Sequence, residues 1–104
     1  MRRVSNKNRK ACECIVEFIK DKYQNYEVNK SKGIGKEPEI GVEYIWRELW
    51  EKLDDILDFP WLAKSKQKAK INYLVNYLLD TNRLERSLGR DDYSGKECWV
   101  FNIR

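Results

Sequence analysis

The stretch Ile71-Asn72-Tyr73-Leu74-Val75-Asn76-Tyr77-Leu78-Leu79-Asp80-Thr81-Asn82-Arg83-Leu84-Glu85-Arg86-Ser87-Leu88 decides how the rest of the chain is read. On a wheel of about 100° per residue, Leu74, Val75 and Leu78 fall within about 60° of Ile71, which predicts a helix with one buried stripe. After Asn82 the apolar period drops from near four to two. Leu84 to Leu88 therefore reads as a strand, and Cys98 to Ile103 as a second, with Trp99, Phe101 and Ile103 alternating against Cys98, Val100 and Asn102. The turn formers of residues 89–96 lie between them. A helix running into a hairpin is the expected unit.

Toward the amino end, this helix begins between Pro60 and Ser65, because Asp58-Phe59-Pro60 stops the one before it. That earlier helix carries Val42, Ile45, Trp46, Leu49, Leu53 and Ile56 at spacings of three and four, with Gly41 as its cap and Glu43 near its positive end. Residues 24–41, containing Gly33, Gly35 and Pro38, read as a long loop, with a short strand at Tyr26 to Val28 or around Ile40. A first helix is expected from about Asn8 to Tyr23, turning Ala11, Cys14, Ile15, Phe18 and Ile19 inward. Residues 1–10 read as a basic flexible tail and residues 11–104 as one domain.

The order of helix, long loop, helix, helix and hairpin resembles the winged helix-turn-helix family. The likeness is sharpest at Ile71, Val75, Leu78, Asn82 and Leu84, followed by Glu85-Arg86, with Asn82 at the helix stop where a left-handed residue is needed. It spans Glu39 to Ile103. The second helix is longer than the family's usual one, the connection from Asp58 to Lys64 is bulkier, and the family's first strand has no clear place in the long loop. The resemblance implies an α+β, mainly α fold in which three helices precede a β-hairpin wing. It also implies a small transcriptional regulator that binds double-stranded DNA without catalysis or cofactor, its third helix in the major groove and its wing and tail on phosphates. Many such domains pair as homodimers, for which the first helix or exposed aromatics would serve.

Charge is compatible with that expectation but unevenly placed. The 104 residues hold 21 Lys and Arg against 17 Asp and Glu, a net charge of +4. Residues 1–10 contain five bases and no acid, residues 37–58 eight acids against Arg47 and Lys52, and residues 59–70 four lysines and no acid. The chain is polarised rather than uniformly basic.

On the third helix, the side away from the core holds Lys66, Ala69, Lys70, Tyr73, Asn76 and Tyr77. Lys64, Lys66, Lys68 and Lys70 alternate and so spread around the helix start, which suits phosphates on both groove walls better than one base-reading row. Gln67, Asn72 and Tyr73 are the candidate base readers. Arg86, Arg90 and Lys96 of the wing, with Arg2, Arg3, Lys7, Arg9 and Lys10 of the tail, are candidate phosphate contacts. The plain alternative is a solvated lysine face with tyrosines covering the core edge. A second functional reading is a protein-interaction module of the same fold, for example a viral or accessory inhibitor, docking through the acidic helix 42–57 and its Trp46 and Trp50. RNA binding is a third.

Other chemistries find little footing. With no His in the chain, Cys-His zinc fingers, histidine triads and imidazole acid-base steps are excluded. Gly33-Ile34-Gly35-Lys36 looks like a phosphate loop, but Lys30 replaces the upstream Gly and Glu37 the Ser or Thr. Asp54, Asp55 and Asp58 form a carboxylate cluster with no base or nucleophile, and read as surface charge. No active site, metal site or cofactor is expected. Cys12 and Cys14 point to opposite sides of their helix, Cys14 inward; Cys14 and Cys98 are expected to be reduced thiols in the core, the alternative being a Cys14–Cys98 bridge, mainly in a hyperthermophile. With no apolar run long enough for a membrane span or a signal peptide, the expectation is a soluble cytoplasmic protein.

Overall fold

The computed structural model describes residues 5–57 and 63–104. Its elements are α1 (Asn6–Ser31), α2 (Val42–Leu57), α3 (Lys64–Asp80), β1 (Leu84–Arg90) and β2 (Glu97–Ile103). The fold is α+β and mainly helical: three helices and then an antiparallel hairpin, the winged-helix layout. The expected stop of the second helix at Asp58-Phe59-Pro60 lies outside the described residues.

α1 is longer at both ends than its apolar pattern suggests. Ser5 caps it, the hydroxyl accepting the Asn8 amide at 3.2 Å, so Lys7, Arg9 and Lys10 stand in its first turns rather than on a flexible tail. At the other end the helix continues through the expected loop to Ser31. It closes on Gly33, whose φ is 74°. There the Ile34 amide bonds Asn29 O and the Gly33 amide bonds Lys30 O, each at 3.0 Å, the paired bonds of a Schellman stop. Tyr26 to Val28 is therefore helical and not a strand.

The same motif ends α3. Asn82 adopts φ 61°, with the Arg83 amide on Leu78 O at 2.9 Å and the Asn82 amide on Leu79 O at 3.1 Å. This left-handed turn sends the chain directly into β1, which pairs with β2 from Leu84↔Ile103 to Arg90↔Glu97. The other alternative for a short strand is met in part. Ile40 O accepts the Phe101 amide at 2.9 Å and Glu39 O the Asp92 amide at 3.0 Å, so residues 39–40 lie along the hairpin where a third strand would pair.

One core joins these elements. Ala11, Cys12, Ile15 and Ile19 of α1 meet Ile45, Leu49 and Leu53 of α2 and Ile71, Leu74, Val75 and Leu78 of α3, closed by Ile40, Leu84 and Phe101. Cys12, not Cys14, is the buried thiol of α1, while Cys14 and Phe18 sit half-buried at the edge. Burial pushes the Cys12 thiol up to about 11, a rise that Arg83 and Lys70 reduce and Glu13 adds to. Cys12, Cys14 and Cys98 are all free thiols.

Asp91, at the end of β1, ties the wing to α2. It is 1% exposed, and its Oδ2 accepts the amides of Gly41 at 3.0 Å and Tyr44 at 3.1 Å. Its Oδ1 accepts those of Tyr93 at 2.9 Å and Ser94 at 2.7 Å. Gly41 holds the cap position as expected, its carbonyl accepting the Ile45 amide at 3.1 Å, but the side-chain capping comes from the hairpin carboxylate, and glycine is needed there for a steric reason. A Cβ on it would sit 2.7 Å from Asp91 Oδ2 and 2.8 Å from Cys98 Sγ, distances only glycine allows.

Candidate nucleic-acid interface

α3 divides into two polar flanks around its buried stripe. The flank toward α2 is occupied. Gln67 is 8% exposed and accepts a hydrogen bond from Trp46 Nε1 at 2.8 Å. Lys68 pairs with Glu43 at 2.8 Å, and its ammonium lies 4.9 Å from the Trp46 ring centre, with that of Lys64 at 5.7 Å on the same ring. Gln67 is accordingly not placed to read a base, and Lys68 leans on α2 instead of lining a groove, while Lys64 stays exposed beside the same ring. The physical reason is angular: Lys64, Gln67 and Lys68 lie within about 100° of one another on the side where α2 presents an indole.

The remaining surface of α3 is open. Lys66, Ala69, Asn72, Tyr73 and Asn76 are exposed, and the half-buried Lys70 holds its ammonium 5.1 Å from the Tyr73 ring centre. Lys66, Lys70 and Tyr73 share one edge; Asn72 and Asn76, four residues apart, share the edge facing the wing. Between that edge and the hairpin runs a cleft of about 330 Å³, with Asn72 and Asn76 on one wall and Arg86, Lys96 and Trp99 on the other. Val42, Leu79 and Phe101 give it an apolar floor, and Glu43 and Glu97 also border it.

The wing carries an aromatic feature that the strand alternation alone does not reveal. The Arg86 guanidinium stacks 4.3 Å from the Trp99 ring centre, and Trp99 remains 45% exposed. Its cross-strand partner Leu88 is 69% exposed. The signal was present in the alternation, since Trp99, Phe101 and Ile103 share a sheet face, but only the register shows that Trp99 clears the core while Phe101 fills it. Arg90 and Lys96 are both exposed, Lys96 in the cleft and Arg90 opposite Glu97 beyond it. Arg2 and Arg3 lie outside the described residues.

Other cations are committed elsewhere. Arg83 donates to Glu13 at 2.7 Å, a hydrogen bond that holds the Glu13 carboxyl below its ordinary range and the guanidinium above its own. Lys36, the cation of the apparent phosphate loop, reaches Glu39 and Asp92 at 3.4 Å each.

Apart from Glu43, which borders the cleft, the exposed acids of α2 point away from this surface. Glu43 is paired with Lys68. Glu48, Glu51 and Asp55 are exposed and stand about 140° to 180° around the helix from Trp46, the residue aimed at α3. Trp46 is bound into the α2–α3 contact, and Trp50 is half-buried beside it. Among the described residues no helix is long and apolar enough to cross a membrane.

The class the fold defines is a small winged-helix layout with a polar helix face beside an aromatic wing. Compared with family models, curated proteins and solved structures, the chain matches none.

Proposed function

We propose that the chain is a winged-helix DNA-binding protein, a small transcriptional regulator acting without catalysis or cofactor. α3 enters the major groove by its exposed side, and the wing and the start of α1 hold the flanking phosphates. The observation that carries this reading is the pairing of two exposed amides, Asn72 and Asn76, with Arg86 and Lys96 across one cleft, while Glu48, Glu51 and Asp55 face elsewhere. An Asn side chain offers a donor and an acceptor together, the pattern that reads adenine edges, and the cations supply sequence-independent grip.

Lys66, Lys70, Arg86, Arg90 and Lys96 are the phosphate contacts of α3 and the wing; Asn72 keeps its expected base-reading role, and Asn76 takes the place of the buried Gln67. Anisotropy of a labelled random duplex between about 50 and about 200 mM salt tests it: these five contacts give a log-log slope of about −4.5, steeper by about 0.9 for each one that α1 adds. Absence of duplex binding at the lower salt would sink the proposal.

A further inference from the structure

The Arg86–Trp99 stack is not needed for groove reading by α3. A base paired within a duplex shows a protein only its edges, whereas the flat face of an indole is met by a base taken out of the stack. Trp99 remains 45% exposed with the guanidinium over it, so contact area is left for a second planar group. The adjoining cleft, about 330 Å³, is roughly ten times the share of one water in liquid, about 30 Å³, and so admits a ring-sized ligand. Its floor is apolar, the Asn72 and Asn76 amides stand at one wall, and Lys96 and Arg86 lie where an attached phosphate would be neutralised. Of the two acids at the border, Glu43 is paired with Lys68 and Glu97 faces Arg90 across the strands.

We propose that the cleft between α3 and the wing holds one unstacked nucleobase, stacked on Trp99 and read at its edge by Asn72 and Asn76. The protein then prefers DNA carrying an unpaired nucleotide beside a duplex to fully paired DNA. This deepens the DNA-binding reading and rests on it.

Two labelled DNA hairpins, one blunt and one with a short single-stranded extension, separate the two ideas. The extended hairpin should bind about tenfold tighter, the worth of one base-aromatic stack. Trp99→Ala should remove that preference while leaving blunt-hairpin affinity within about threefold, and Trp99→Phe should keep most of it. If Trp99→Ala lowers the melting temperature too far for use, Trp99→Leu, which keeps an apolar side chain but no flat ring, should remove the preference in its place. Equal affinity for the two hairpins overturns the base site and leaves the duplex reading standing. Binding of the extended hairpin alone overturns the duplex reading and keeps the site, and binding of neither overturns both.

Discussion

The two flanks of α3 are built from the same residue types and meet opposite fates. Lys64, Gln67 and Lys68 are drawn onto Trp46 and Glu43 of α2, whereas Lys66, Asn72 and Asn76 stay in solvent and face the wing or beyond. The difference lies in what stands opposite. Where a neighbouring helix offers an indole and a carboxylate, lysine stems and an amide become packing; where the neighbour is a hairpin held away at its tip, a cleft remains. Alternating lysines distribute themselves between the two because residues two apart diverge by about 160° around a helix.

The largest way to break this contrast is at the anchor that holds the hairpin in place. Asp91→Ala strips four amides of a buried acceptor and should cost about 3 kcal/mol or more in urea unfolding. Because the wing loses its seat, cleft-dependent binding should fall with it. Next comes the open flank: replacing Lys66, Lys70 and Arg90 together by Ala should make the salt slope of duplex binding shallower by about 3, with little change in unfolding. A variant that binds duplex like the parent would move the interface elsewhere.

Alkaline unfolding follows in size. The Cys12 thiol, held at about 11 against an ordinary 9.0 chiefly by burial, favours the folded state fully below pH 9.0 and loses that contribution as pH rises through 11. Tyr23, pushed up to about 12 by burial and by Glu37, Glu39, Asp92 and Glu85, acts in the same direction one unit higher. Urea midpoints should be flat near neutrality and fall above pH 9.0, by up to about 2 kcal/mol for the thiol. In Cys12→Ala the earlier part of the decline should vanish.

On the closed flank, Trp46→Phe takes the indole donor from Gln67 and should cost about 1 to 2 kcal/mol, with duplex affinity unchanged. The smallest effect belongs to Lys68→Ala. Its pair with Glu43 is about one-third exposed on each side, so less than about 1 kcal/mol should be lost.

The sequence conveyed the elements that own a strong period. Ile71, Leu74, Val75 and Leu78 mark α3, and Asn82 marks its left-handed end, since few residues other than glycine take that conformation easily. The extension of α1 was illegible for the converse reason: Gln24 to Ser31 leaves the core behind, Val28 being 54% exposed, so no apolar stripe betrays a helix there. Its stop at Gly33 was visible, but as one of several loop signals. For the site, the cations and Asn76 could be named from the wheel, and Asn72 from its amide chemistry. Their division between flanks could not, because it depends on where α2 places Trp46. Asp91 was hidden among turn formers, its role as a remote cap set only by the closure of the hairpin on Gly41 and Tyr44.

The most direct test of the central claim is an amide and indole chemical-shift map of the labelled protein during titration with duplex DNA. The shifts should concentrate at Lys66, Asn72, Asn76, Arg86 and Lys96 and at the Trp99 indole, leaving the Trp46 indole and the backbone of Glu48, Glu51 and Asp55 in place. Shifts centred on the acidic side of α2, or on the Trp46 pocket with the wing unmoved, would contradict it.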